Sequence, residues 1–114
     1  MSDCIFCKII SGEILAPRVY ENERVTVIND MNPAAPVHAL VMPKEHIDNI
    51  MAVGAEDAGL LRDIHDAITE TAKIKGVSES GFRLISNCGE DGRQTVRHLH
   101  FHIVGGRQLC EKSV

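Results

Sequence analysis

Two periods alternate along the chain. Near the start, Ile5, Phe6, Ile9 and Ile10 fall at helical spacing. With Asp3 placed to cap them and Gly12 to stop them, they predict a short helix. The β-branched runs RVY (18–20) and RVTVIND (24–30) follow, separated by the polar turn ENE, which predicts a hairpin. MNPAAP carries two prolines and reads as a loop, and HALVMP (38–43) is then a third strand ended by Pro43. From about 55 to 75 the period lengthens to that of a helix, with Leu60, Leu61, Ile64, Ala67, Ile68 and Thr71 on one stripe and Gly76 closing it. FRLISN (82–87) and HLHFHIV (98–104) are two further strands around the loop CGEDGRQTV (88–96). No helix separates them, so they are expected to pair antiparallel. The expected fold class is α+β: an antiparallel five-stranded sheet with one long helix and a short N-terminal helix.

Composition narrows this picture. A chain of 114 residues, 44% apolar and 25% charged, is expected to form one domain over 1–114. With one Tyr, three Phe and no Trp, its core must come from Ile, Leu, Val, Ala and Met. The net charge is −4 and no Lys/Arg run exceeds two residues, which argues against a nucleic-acid surface. A single phosphate is still compatible, because backbone N–H groups and a few histidines can hold one. No apolar run approaches the roughly 20 residues that span a bilayer. MSDCIFCKII lacks a basic segment followed by a long apolar one, so export is not expected and the cytoplasm is the expected compartment. Four cysteines in that setting point to thiols or a metal rather than disulfides.

The final predicted strand carries the most chemistry. His98, His100 and His102 occupy alternate positions, so an extended strand puts them on one face and Leu99, Phe101 and Ile103 on the other. A lone histidine, such as His65 on the long helix, is most simply an ordinary side chain. Three in strict alternation bring no hydrophobic gain and repel one another when protonated. The outer two are about 13 Å apart along a strand, too far for one ion with bonds near 2 Å to gather all three. Imidazoles work as nucleophiles and as acids or bases near neutrality. Just upstream, Gly89 and Gly92 permit tight turns and close backbone approach, and Gln94 and Thr95 offer side-chain donors.

Cys4 and Cys7 form a CxxC. A redox couple would need a βαβ setting that is missing, two thiols without a role are a bland alternative, and a zinc site needs two more ligands. Spacing alone does not choose between His46 and His65 as one of them.

HLHFHIV is similar to the alternating His–apolar signature of the histidine triad (HIT) superfamily of nucleotide hydrolases and transferases. CIFCKIISGEI, INDMNPAAPVHALVMPKEHI and SNCGEDGRQTVRHLHFHIVGGRQL all resemble its Hint branch. The resemblance implies that His100 attacks the α-phosphorus of a nucleotide to give a covalent nucleotidyl-histidine. His102 would bind a phosphate oxygen, His98 and His38 would orient the nucleophile, and Thr95 and Gln94 would touch the phosphate or leaving group. Asp30 and Asn87 match residues that reach the ribose, and Ile5, Phe6, Ile9, Ile28, Met31 and Leu40 match an apolar slot for the base; each of those six is equally readable as core. The resemblance further implies a structural zinc held by Cys4, Cys7, His46 and His98, no organic cofactor, and a homodimer.

The implied activity is hydrolysis of purine nucleoside 5'-phosphoramidates or related nucleotidyl esters, releasing AMP or GMP. Dinucleoside polyphosphate cleavage, a zinc-stabilised binding module with little turnover, and a hydrolase using a catalytic metal are the alternatives. Two features depart from the Hint pattern: Gly92-Arg93-Gln94-Thr95 stands where two glycines usually precede the Gln-Ser pair, and the tail CEKSV lacks the aromatic and proline residues of animal members.

Overall fold

The structure, a computed structural model, describes residues 3–112. Its elements are α1 (Ile5–Ile10), β1 (Arg18–Glu21), β2 (Val25–Asn29), β3 (Val37–Pro43), a 3-10 turn at Ile50–Ala52, α2 (Ala58–Ile74), β4 (Phe82–Ile85) and β5 (Phe101–Gly105). The strands form one antiparallel sheet in the order β1-β2-β3-β5-β4. This is the α+β architecture expected from the sequence. Among the described residues no helix is long and apolar enough to cross a membrane.

Strand alternation gives the sheet two apolar faces. Val25, Val27, Ala39, Val41 and Ile103 pack against Leu60, Ile64, Ala67 and Ile68 of α2, while Ile28, Leu40 and Met42 pack against Phe6 and Ile9 of α1. The second face also carries the chemistry: Leu40 pairs with His102, and His38 with Val104, across β3 and β5. Leu61, expected on the buried stripe, is 38% exposed at its edge. The long helix starts at 58 rather than 55 because Asp57 is its cap, accepting from the Leu60 N–H at 3.2 Å while gripped by both terminal nitrogens of Arg24.

Two sequence expectations are corrected. The cap of α1 is Cys4, not Asp3: its extended backbone turns Sγ onto the Cys7 N–H at 3.4 Å. The last strand begins at Phe101, not at His98. The Leu99 N–H is taken by the Ile47 carbonyl at 2.6 Å and the His100 carbonyl by Ser86 Oγ at 2.8 Å, so residues 98–100 leave the ladder and bend over the loop after β3. Ser86 and Asn87 lie beyond β4, which ends at Ile85.

Candidate functional site

The bend divides the three histidines. His98 is fully buried and His100 nearly so, both edge-on to the Phe6 ring, with centroids at 5.8 and 4.9 Å. His102, inside β5, is half-buried and faces His100 at a ring separation of 5.1 Å. The alternation survives, since Leu99 and Ile103 do enter the α2 core. The histidine side, however, is a covered interior under α1 rather than an open face.

Hydrogen-bond partners set the proton on each ring. His100 Nδ1 lies 2.7 Å from the His98 carbonyl oxygen, so it carries the hydrogen and donates it. The Nε2 lone pair of His100 is thereby left bare. Thr71 Oγ1 alone among the described residues is fully buried without a hydrogen-bond partner, so the unbonded His100 Nε2 still touches solvent. A second chain of bonds orders His102. The Ala34 N–H donates to His38 Nδ1 at 3.0 Å, which puts the hydrogen of His38 on Nε2, aimed at His102 Nδ1 at 2.9 Å. The remaining hydrogen of His102 therefore sits on Nε2. Asp30 Oδ2, 3.4 Å from His38 Nε2, adds a carboxylate beside this relay, and its other oxygen accepts from the Asn32 N–H. Asp30, His38 and His102 bring donor atoms within 4.8 Å of one another, a grouping that could hold a metal, and the 2.9 Å approach of the two imidazole nitrogens also has the length of a direct hydrogen bond.

Burial lowers the pKa of His102, reinforced by the neighbouring His100 and His38 rings and only partly opposed by Asp30. His98 is lowered too, first by burial, with the Pro43 carbonyl pulling the other way. Both rings are therefore neutral near pH 7, as the partner pattern requires.

Cys4, Cys7, His46 and His98 bring one donor atom each within 4.8 Å of one another. Cys4 Sγ and Cys7 Sγ lie 3.4 and 3.5 Å from His98 Nδ1, and Cys7 Sγ lies 3.2 Å from His46 Nδ1. Bonds of about 2.3 Å to sulfur and 2.0–2.1 Å to nitrogen in a tetrahedron give edges of about 3.5 Å, so the set fits a zinc ion. The far nitrogens strengthen the fit. His98 Nε2 donates to the Pro43 carbonyl at 2.8 Å and His46 Nε2 lies 3.6 Å from Asp48, the oxygen partners that orient ligating imidazoles.

Other candidate residues are spread around this centre. Asn87, Arg93, His38 and His102 line one open groove of about 750 Å³. Thr95 instead lines a cleft of about 510 Å³ with Cys4, Ile5 and His46. Gln94 is a clamp: its Oε1 accepts from the Gly89 N–H at 2.9 Å, and its Nε2 donates to the carbonyls of Asp48 and Val96 at 2.7 and 2.9 Å. Phe6, Ile9, Ile28 and Leu40 are packed core, while Ile5 is 48% and Met31 93% exposed.

Comparison with known proteins decides the family. The model for "Scavenger mRNA decapping enzyme C-term binding" matches residues 3–112. A HIT-like protein of Azospirillum brasilense is 44% identical over 110 residues, covering 92% of this chain and 87% of that one. The chain belongs to the HIT family. Among solved structures, a HIT family hydrolase from Clostridium thermocellum superposes with a TM-score of 0.94 at 47% identity, covering 100% of this chain and 99% of that one. A histidine triad protein from Clostridium difficile gives 0.92 at 47% identity, with 99% and 98% covered.

Within this HIT chain, the groups that hold the histidines were hidden from the sequence. The Pro43 carbonyl and Ser86 Oγ meet their partners through the tertiary fold, while the His98 carbonyl and the Ala34 N–H are close in sequence to the rings they hold but lie in irregular segments that alternation does not describe. Only the alternating motif itself carried a local signal.

Proposed function

We propose that this HIT protein is a nucleotidyl hydrolase acting on purine nucleoside 5'-phosphoramidates or related esters, with His100 as nucleophile. The observation that carries the reading is the bare, solvent-touching Nε2 of His100, whose opposite nitrogen is pinned by the His98 carbonyl. That lone pair attacks the α-phosphorus, the P–N or P–O bond breaks, and its electron pair leaves with the amine or alcohol, which takes up one proton. Water then attacks phosphorus, the bond to His100 breaks, and the proton that water sheds balances the one taken up. His102 Nε2–H donates to a phosphate oxygen and stabilises the charge that builds there. Asp30 and Asn87 are the ribose contacts, Thr95 and Gln94 frame the phosphate loop, and the base docks against the exposed Ile5 and Met31 at the margin of the buried Phe6, Ile9, Ile28 and Leu40 cluster, which backs that surface.

Zinc fits Cys4, Cys7, His46 and His98, and when bound it supplies a structural crosslink from α1 to the bend rather than a reacting centre. We take the chain to be one domain, cytoplasmic, and a homodimer. The test is incubation with adenosine 5'-phosphoramidate and a dinucleoside polyphosphate, with metal content measured on the same sample. Release of AMP that survives chelation is expected. Tight AMP binding with no turnover of either compound overturns the hydrolase reading in favour of a binding module, and turnover abolished by a chelator in folded protein favours a catalytic metal.

A further inference from the structure

The three histidines are held unequally. His102 lies inside β5 and pairs with Leu40 on one side and Ile85 on the other. His98 is bound at both nitrogens, Nε2 to the Pro43 carbonyl at 2.8 Å and Nδ1 facing the two thiols. His100 belongs to neither ladder: pairing with β4 ends at His102 and pairing with β3 ends at Phe101. Its ring makes one hydrogen bond, from Nδ1 to the His98 carbonyl at 2.7 Å. Where the bare Nε2 stands therefore depends on the bend at residues 98–100.

Two hydrogen bonds hold that bend. A peptide unit is planar, with its C=O and N–H pointing opposite ways. The Ile47 carbonyl takes the Leu99 N–H at 2.6 Å, so the His98 carbonyl of the same peptide is turned the other way, towards the ring it accepts from. Ser86 Oγ donates to the His100 carbonyl at 2.8 Å, in the peptide whose N–H belongs to Phe101, where pairing with β3 resumes. The Cα of His100 thus has one anchor on each side. Strand register explains why neither anchor is a ladder bond. Two steps beyond the Val41–Phe101 pair, Pro43 would stand opposite Leu99, and proline has no N–H to extend the ladder. Two steps beyond the Ile85–His102 pair, Asn87 would stand opposite His100, but Asn87 lines the groove, and the hydroxyl of its neighbour Ser86 supplies the donor instead. His100 is nearly buried, so its carbonyl needs a partner from within the protein.

We infer that Ser86 is a positioning residue for the nucleophile: by pinning the His100 carbonyl, its hydroxyl holds the 98–100 bend in the form that aims His100 Nε2 at the α-phosphorus. The inference rests on the hydrolase reading for the reaction, whereas the pinning is a property of the protein without substrate. Ser86 acts through the backbone of His100 and touches no reacting atom. Loss of the hydroxyl leaves a buried carbonyl without its donor, and the bend relaxes around it. A shift of about 1 Å at an attacking atom costs rate on the order of 100-fold. The surfaces for base and ribose, carried by α1, Asp30 and Asn87, stay where they are.

The test is a matched pair of variants. Ser86→Thr keeps the hydroxyl, and Ser86→Val has nearly the same shape without it; both suit an extended backbone. Rates are measured with an adenosine 5'-phosphoramidate well below the Tm of each protein. Ser86→Val should lose about 10- to 100-fold in kcat, with KM and AMP affinity within about twofold of wild type. Ser86→Thr should keep kcat within about threefold. Proton NMR supplies a readout that a purely structural role leaves unmoved. The hydrogen on His100 Nδ1, in its short bond to the His98 carbonyl, resonates far downfield and is identified by its loss in His100→Gln. That resonance should shift or vanish in Ser86→Val and hold its place in Ser86→Thr. If Ser86→Val does not fold, Ser86→Ala takes its place. Unchanged kcat without the hydroxyl, a loss confined to KM, a loss that Thr fails to restore, or an unmoved resonance overturns the assignment. If wild type turns over no phosphoramidate, the hydrolase reading fails, and the resonance alone decides whether Ser86 holds the ring.

Discussion

His38 and His102, 64 residues apart in sequence, touch through their rings, with Nε2 of the first 2.9 Å from Nδ1 of the second. Since the Ala34 N–H already occupies the other nitrogen of His38, the contact has one direction: His38 donates and His102 accepts. The outward nitrogen of His102 is thereby kept as a donor.

Removing that order should cost rate. His38→Ala lets His102 adopt either tautomer and removes the bridge to Asp30. We expect kcat on a phosphoramidate to fall on the order of 100-fold, the scale for losing one oriented donor to a developing oxyanion, with KM changed far less. Steady-state kinetics at pH 7 checks this, and a variant with unchanged kcat would show that His102 is ordered by other means.

Acidification should weaken the fold through His102. Its pKa is lowered from 6.5, chiefly by burial, so as pH falls the unfolded chain binds a proton before the folded one does. Stability therefore rises with pH across the window just below 6.5 and is lost on the acid side. Thermal unfolding between pH 7 and pH 5 should show Tm falling, with a flatter profile in His102→Gln. Parallel profiles for the two proteins would rule out His102 as a source of the slope.

How much of this was legible in the sequence follows from which forces are local. Alternation and helical periodicity are written into consecutive residues, so the strands, both helices and the sheet could be read directly. The His98–His102 motif was legible for the same reason. Its bend was not, because the Leu99 amide is claimed by Ile47 from another part of the chain. Thiol capping by Cys4 went unread because Asp3 is the better N-cap by residue type, whereas the backbone places the cap one residue later. The role of Gln94 was hidden for a further reason: a side-chain amide can serve a ligand or its own loop, and only the positions of Gly89, Asp48 and Val96 choose.

That clamp makes a prediction of its own. Gln94→Ala deletes three hydrogen bonds, two within the 88–96 loop and one that ties it to Asp48 in the segment carrying His46. At about 0.5–1.5 kcal/mol net for each bond, stability should fall by roughly 1.5–4.5 kcal/mol. KM for nucleotides should rise, since the loop borders the groove. Denaturant titration and kinetics on one preparation check both, and a stable variant with unchanged KM would return Gln94 to the status of a surface residue.

Metal at the Cys4 group should act on stability rather than on chemistry. Free zinc at about 1,000 times its Kd adds roughly 4 kcal/mol to a fold that alone binds it. Elemental analysis should find one zinc per chain, lost in Cys4→Ser, with a lower Tm after chelation. Turnover by the chelated protein, measured below that Tm, should persist.

The central claim is that His100 becomes covalently bonded to the substrate phosphorus. Rapid acid-free quenching of a reaction with an adenosine phosphoramidate, followed by peptide mass spectrometry, tests it most directly. The account predicts a nucleotidyl adduct on the peptide containing His100, absent in His100→Gly, which should still bind AMP while turnover drops roughly 10,000-fold or more. An adduct on another residue, or full turnover by His100→Gly, would contradict it.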